Sequence, residues 1–404
     1  MKINELIKNC EAKLKEKFEY LEEISLYNTE KVLNAFQKNK ISARHFYPST
    51  GYGYNDESRI KLCDLFADVF KTESAIVSPN IVSGTHAITI ALFGLLKSGD
   101  DLLSISGSPY DTLTQVISGS GNGSLKDYNI NFDKIALKDN DFDYGSILNR
   151  LKAKTPKLIF IQRSRGYEWR SALSCEKIKN VISFLRKNGY NDAVFIDNCY
   201  GEFTSKTEPC ELGADVIAGS LIKNICGGFA PTGGYIAGKK CYIERIENRL
   251  TAPSVGNEAG SYAFTYQYFY QGLFIAPHIV KECLKGSLLI GKVLNGLSYE
   301  TIPNPDETPY DITRAVKFND EKKLIKFIQA VQKNSPVDSF ALPVPDDMPG
   351  YADKIIMASG SFVQGSSIEL SADAPIKPPY TAYIQGGLNY EHIKIALSNI
   401  ISEF

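Results

Sequence analysis

Two apolar runs end in residues that could do chemistry together. In residues 193–238, AVFIDNCYGEFTSKTEPCELGADVIAGSLIKNICGGFAPTGGYIAG, the first run ends in Asp197 and the second in Ser220, with Lys223 in the turn that follows. Carboxyl ends of strands in an α/β sheet gather ligands in one crevice, so Asp197 and Lys223 are expected to share a site. A lysine amine forms a Schiff base with an aldehyde cofactor. Pyridoxal 5'-phosphate is such an aldehyde, and it draws electrons only while its ring nitrogen stays protonated, a state that a buried carboxylate maintains. Its phosphate requires donors of the kind that helix N-termini and small hydroxyl side chains supply. Ser220 is one candidate donor. Ser83-Gly84-Thr85, which lies between an apolar run and the helical stretch HAITIALFGLL, is the main candidate cradle. Gly84 would let the backbone approach closely.

Such a site needs a sheet to hold it. Short apolar runs recur at Ala75–Val77, Leu102–Ile105, Leu158–Ile161, Ala193–Ile196, Val216–Ile217 and Tyr235–Ile236, with helical stretches between them. This rhythm predicts an α/β fold of three layers, with a mainly parallel sheet buried on both faces. Ile3, Leu6, Ile7, Cys10, Leu14, Phe18 and Leu21 recur at helical steps and predict a helical arm. Residues 41–58 read as a loop, residues 56–70 as a helix, and residues 258–295 as one or two long helices carrying an aromatic cluster that packs core or subunits. A Pro-rich link, TIPNPDETP, then leads to a mixed module with runs at Lys354–Met357 and Ser367–Leu370. The expected organisation is a helical arm over 1–50, a large cofactor-binding domain over 51–295 and a small α+β domain over 296–404. GSGNG at 119–123 lacks the Lys-Ser/Thr pair of a phosphate loop and is read as a surface loop.

Composition narrows the partners. With 45 basic and 46 acidic residues, the chain offers no charge excess for nucleic acid or an anionic membrane. No stretch approaches a membrane span and the N-terminus lacks a signal-peptide core, so a cytoplasmic protein is expected. The eight cysteines form no C-x-x-C pair and read as reduced thiols, with Cys199 and Cys226 as packing residues. The four histidines are scattered, and no metal site is expected.

The phrases HFYPSTGYGYND, IQRSRGYEWR, FIDNCYGEF, GSLIKNICGGFAPTGGYIAG, YQGLFIAP and YIQGGL span residues 45–388. Through them the chain resembles the fold-type I pyridoxal-phosphate enzymes of cysteine and methionine metabolism, the cystathionine lyase and methionine γ-lyase group. More narrowly, it resembles the branch often labelled aluminium resistance protein. The resemblance implies that Lys223 is the Schiff-base lysine and Asp197 the partner of the ring nitrogen. It implies that Tyr110 stacks on the cofactor, that Gly84, Thr85 and Ser220 contact the phosphate, and that Tyr52 or Tyr54 reaches a neighbouring subunit's phosphate. Active sites shared within a homodimer or homotetramer, and a small amino acid as substrate, follow from the same likeness.

The chain departs from that group in one respect. The lyases hold the substrate carboxylate with a C-terminal arginine, and GSSIELSADAPIKPPYTAYIQGGL contains none. Arg163 and Arg165, with Arg170 nearby, follow the Leu158–Ile161 run and are candidates to replace it, since a carboxylate is best held by a guanidinium fork. The expected activity is lysis of an amino acid, with carbon–sulfur cleavage in the manner of cystathionine β-lyase or methionine γ-lyase. An aminotransferase would use the same lysine and aspartate, and a non-catalytic stress-response protein on this fold is the third reading. Ser220-x-x-Lys223 also fits the nucleophile signature of penicillin-recognising enzymes, but the S-D-N and K-T-G elements are missing.

Overall fold

The computed structural model describes residues 3–121 and 123–403. Seven strands form the large sheet: β1 (Ser74–Ser78), β2 (Asp101–Ser104), β3 (Asn131–Lys134), β4 (Leu158–Gln162), β5 (Ala193–Asp197), β6 (Val216–Ser220) and β7 (Gly234–Gly238). Their order is β1-β7-β6-β5-β4-β2-β3, parallel from β6 to β3, with β7 antiparallel to both of its neighbours. The six apolar runs from Ala75–Val77 to Tyr235–Ile236 fall on these strands, Ile105 lying one residue past β2. The polar edge strand β3, whose side chains are largely exposed, gave no such signal.

Alternation along the strands divides the core in two. Leu158, Phe160, Phe195, Val216 and Ala218 pack on one face, while Ile159, Ile161, Val194, Ile196 and Ile217 pack on the other. Burial on both faces is why the strands are continuously apolar. The helices Gly84–Leu95 and Lys240–Glu247 cover the first face, and Glu57–Phe70 and Cys175–Lys187 lie against the second. Asp56, Ser83 and Ser174 cap three of these four by accepting an amide of the first turn.

The helices Ile3–Ala12 and Lys15–Lys38 bury Ile7, Cys10, Leu21, Ile24, Val32 and Ala35, folding onto the long helix Gln267–Gly296 of the same chain. That helix is shorter than the expected 258–295. Residues 258–266 run as loop, tied by the Gly260 amide to the Tyr52 carbonyl and by the Tyr266 amide to the Phe46 carbonyl. The aromatic cluster packs internally, Tyr262 lying 5.5 Å from Tyr266 and 5.6 Å from Phe269.

A second, antiparallel sheet has the order β10-β11-β12-β9-β8, from β8 (Glu300–Ile302), β9 (Thr313–Lys317), β10 (Ile355–Ala358), β11 (Ser371–Pro375) and β12 (Thr381–Gln385). The Ser367–Leu370 run is a bend that precedes β11. Its Glu369 carboxylate accepts the amides of Phe362 and Val363 instead of joining a ladder. In the 119–123 loop the amides of Gly121 and Gly123 are taken by Asp127, and Asn122 lies outside the described residues. Among the described residues no helix is long and apolar enough to cross a membrane.

Candidate active site

β5 and β6 are adjacent and parallel, so their carboxyl ends bring Asp197 and Ser220 side by side under one cavity of about 560 Å³. Lys223 enters from the turn after β6, where Asn224 fixes the backbone by donating to the Tyr200 and Glu202 carbonyls. The Lys223 amine lies over the Tyr200 ring, 4.0 Å from its centroid. Burial alone would lower this amine, but Cys199, Tyr200, Asp197 and Tyr110 raise it well above its ordinary value. Asp197 is 2 % exposed and accepts the Cys199 amide at 3.1 Å. Burial raises its carboxyl, and Lys223 and Cys199 pull it back only in part.

The helix Gly84–Leu95 points its N-terminus at the same floor. Ser83 caps it by accepting the His86 amide at 3.1 Å. Gly84 is closely packed there: a Cβ at this position would meet Cys199 Sγ at 3.2 Å and Ser220 Cβ at 3.3 Å. Thr85 Oγ1 and the Tyr110 hydroxyl share a hydrogen bond of 2.9 Å. Tyr110 is further placed by its amide, which donates to Gln162 Oε1 at 2.9 Å. Burial, then Asp197, raises the Tyr110 phenol, so it stays protonated. Ser83, Gly84, Thr85, Tyr110, Asp197, Ser220 and Lys223 therefore line one cavity.

Three predicted residues are not brought there. Tyr52 and Tyr54 are 74 % and 61 % exposed, stack on each other at 5.4 Å and lie outside the cavity of their own chain. Arg163 needs a correction as a substrate ligand. Its guanidinium is buried away from the cavity, donating to Asn198 Oδ1 and the Gly201 carbonyl at 2.8 Å each and to Thr204 at 3.1 Å, with Glu208 at 3.8 Å. Arg165 does line the cavity. It donates to the Ile302 carbonyl at 2.5 Å and pairs with Asp311 at 3.5 Å, while its Nε and one terminal nitrogen have no hydrogen-bond partner. Arg170 instead braces the loop, bonding Glu168 at 2.8 Å and the Ser164 carbonyl at 2.5 Å.

Several lining residues carried no signal that reading the sequence had weighed. Cys199, taken for packing, stands between Asp197 and Gly84, and its thiol is held protonated by burial and by Asp197. Tyr200, at φ +68°, sits under Lys223 and shares a hydrogen bond with Ser367. Its place in FIDNCYGEF, just after Asp197, was the available clue. Tyr167, Tyr351, Asp373 and Tyr383 complete the wall contributed by the loop after β4 and the second sheet.

With this geometry in hand, comparisons give the chain's relatives. The profile of a family described as methionine gamma-lyase matches residues 3–404. YnbB of Bacillus subtilis is 48% identical over 385 residues, covering 94% of this chain and 91% of YnbB. A Listeria monocytogenes crystal structure, provisionally assigned as a cystathionine beta-lyase involved in aluminium resistance, is 46% identical with a TM-score of 0.96. That match covers 99% of each chain. The pyridoxal-5'-phosphate-dependent protein YhfS of Escherichia coli shares the fold at a TM-score of 0.64 and 18% identity, over 95% of this chain and 97% of its own. The fold is that of fold-type I pyridoxal-phosphate enzymes.

Proposed function

Because the chain belongs to the methionine gamma-lyase family, we propose that it is a pyridoxal-phosphate-dependent lyase that cleaves a carbon–sulfur bond in a thioether amino acid. One observation carries the reading: a half-buried lysine, in the turn after one strand, and a buried aspartate, at the end of the adjacent strand, face one cavity with a helix N-terminus. The residues suit the cofactor on their own terms. Gly84 lets the helix N-terminus pack against Cys199 and Ser220 as a side chain would not, and Asp197 makes no ion pair among the described residues, so a protonated ring nitrogen would find an acceptor.

Bound pyridoxal phosphate supplies an aldehyde for imine formation and a ring that withdraws electrons from the bond being broken. Lys223 would carry it, Asp197 would keep the ring nitrogen protonated, and Ser83, Gly84, Thr85 and Ser220 would receive the phosphate at the helix N-terminus. Tyr110 offers its ring as a stacking surface. Lys223 Nζ is the base that would take the proton from the substrate's Cα. The C–S electron pair leaves with sulfur as a thiol. Water hydrolyses the remaining skeleton, so the net products are a thiol, a 2-oxo acid and ammonia.

Arg165 is the proposed ligand of the substrate carboxylate. It lies with Arg314 and Asp311 in a buried group of two cations and one anion. The crowding is felt at Arg314, which burial and then Arg165 push down to about 9. A substrate carboxylate would balance that charge. The expectation of shared active sites places Tyr52 and Tyr54, exposed as they are, toward a second subunit.

The test is a product assay on protein loaded with pyridoxal phosphate, using cysteine and homocysteine thioethers. Release of thiol, 2-oxo acid and ammonia in equal amounts is expected, with a fall of roughly 10²–10⁴-fold or more in Lys223→Ala. Amino-group exchange with a 2-oxo acid and no thiol release would replace the lyase by an aminotransferase.

A further inference from the structure

Part of the cavity wall carries polar groups to which the proposed reaction assigns nothing. Side chains alternate along β11: Ala372 and Ala374 enter the core, while Ser371 and Asp373 line the cavity. Asp373 stands across from Tyr383 on β12 and Met357 on β10, both of which also line it. Asp373 Oδ1 and Ser371 Oγ are buried, and neither has a hydrogen-bond partner. Three tyrosines lie beside the carboxylate: Tyr167 hydrogen-bonds to it, and the Tyr167 ring packs at 5.0 Å from Tyr383 and 5.8 Å from Tyr351.

Asp373 is half-buried with one carboxylate oxygen closed off from water, and among the described residues it makes no ion pair; a charge so placed without a counter-charge is costly. The cations around the cavity each have another partner or role. Arg165 pairs with Asp311, Arg170 with Glu168, and Lys377 with Asp353 at 2.6 Å. Lys223 is the cofactor lysine in the proposed reaction. A ligand's ammonium group would supply the missing positive charge, and aromatic side chains beside a carboxylate suit such a group. Burial raises Asp373 to about 7, against the pull of Tyr167 and Lys223, which agrees with a carboxylate awaiting a cation.

We propose that Asp373, flanked by Tyr167 and Tyr351, binds a distal ammonium group of the substrate and so selects thioether amino acids carrying a positive charge beyond the sulfur. This rests on the lyase reading for its substrate class. Arg165 takes the α-carboxylate, Asp373 the far end, and the apolar side chain of Met357 lies along the same wall.

The experiment compares S-(2-aminoethyl)-L-cysteine with its neutral isostere S-propyl-L-cysteine on the pyridoxal-phosphate-loaded protein. The ratio of kcat/KM values is measured where turnover occurs, and the ratio of calorimetric Kd values where it does not. The charged ligand is expected to be preferred by about tenfold to a hundredfold, the worth of a hydrogen bond to a charged group. Asp373→Asn, which keeps the shape, is expected to bring the ratio near one. Equal treatment of the two ligands by the unaltered protein overturns the proposal, as does a preference that survives Asp373→Asn. A binding preference without thiol release sinks the lyase reading and leaves the subsite standing; thiol release without preference does the reverse.

Discussion

Arg163 and Arg165 stand two residues apart after β4, and the chain uses them in opposite ways. Arg163 is wholly buried behind the sheet end, where Asn198, Gly201, Thr204 and Glu208 take up its fork. Arg165 lines the cavity with its Nε unbonded and a terminal nitrogen held only by the ion pair with Asp311. Strand alternation would put both on one face, but the strand ends at Gln162 and the chain turns through Gly166 at φ +56°. Direction is then set by partners: Arg163 finds a closed set of acceptors and Arg165 finds Asp311 and the Ile302 carbonyl. A saturated guanidinium holds the fold together, whereas an unsaturated one beside a cavity is available to a ligand.

Substitution should separate the two. Arg163→Ala leaves Glu208 buried without its cation and should cost about 3–5 kcal/mol of stability, read as a lowered midpoint of chemical unfolding. If the protein unfolds at the usual denaturant concentration but loses substrate affinity, the division drawn here is wrong. Arg165→Lys keeps the charge and loses the fork, so KM for a thioether amino acid should rise by about tenfold to a hundredfold. The unfolding midpoint should move far less than in Arg163→Ala. A loss of stability with KM unchanged would make Arg165 structural as well.

A pH-dependent effect concerns Glu202, which shares Arg163's buried surroundings. Burial raises its carboxyl to about 8, even though Tyr235 donates to it at 2.8 Å. Between its unfolded value near 4.5 and about 8 the folded chain holds a proton that the unfolded chain has lost. That group therefore subtracts stability as pH rises through this window, and the loss is complete above it. Glu202→Gln should unfold at nearly the same denaturant concentration at the acid end of the window and become relatively more stable toward pH 8 and above. Parallel pH profiles for the two proteins would contradict this.

The same contrast explains what the sequence made legible. Asp197 and Ser220 close continuously apolar strands and Lys223 follows in the next turn, and burial on both faces leaves a plain record in such strands. Ser83 and Gly84 were readable because a helix cap and a close backbone approach demand particular residue types. Asp373 and Tyr383 were not. They lie on an antiparallel sheet whose one cavity face mixes polar and apolar side chains, and the strand was read in the bend before it, at Ser367–Leu370. Their meeting with Tyr167, from the loop after β4, depends on a long-range packing that no local pattern records. Tyr52 and Tyr54 stand exposed on their own chain, so their expected contact needs a partner subunit.

The central claim is that Lys223 carries the cofactor. The most direct measurement is to incubate the protein with pyridoxal 5'-phosphate, reduce it with borohydride and map the modified peptide by mass spectrometry. The account predicts a pyridoxyl group on Lys223 and none in that peptide from Lys223→Ala. An unmodified Lys223, or a stable adduct on another lysine alone, would contradict it.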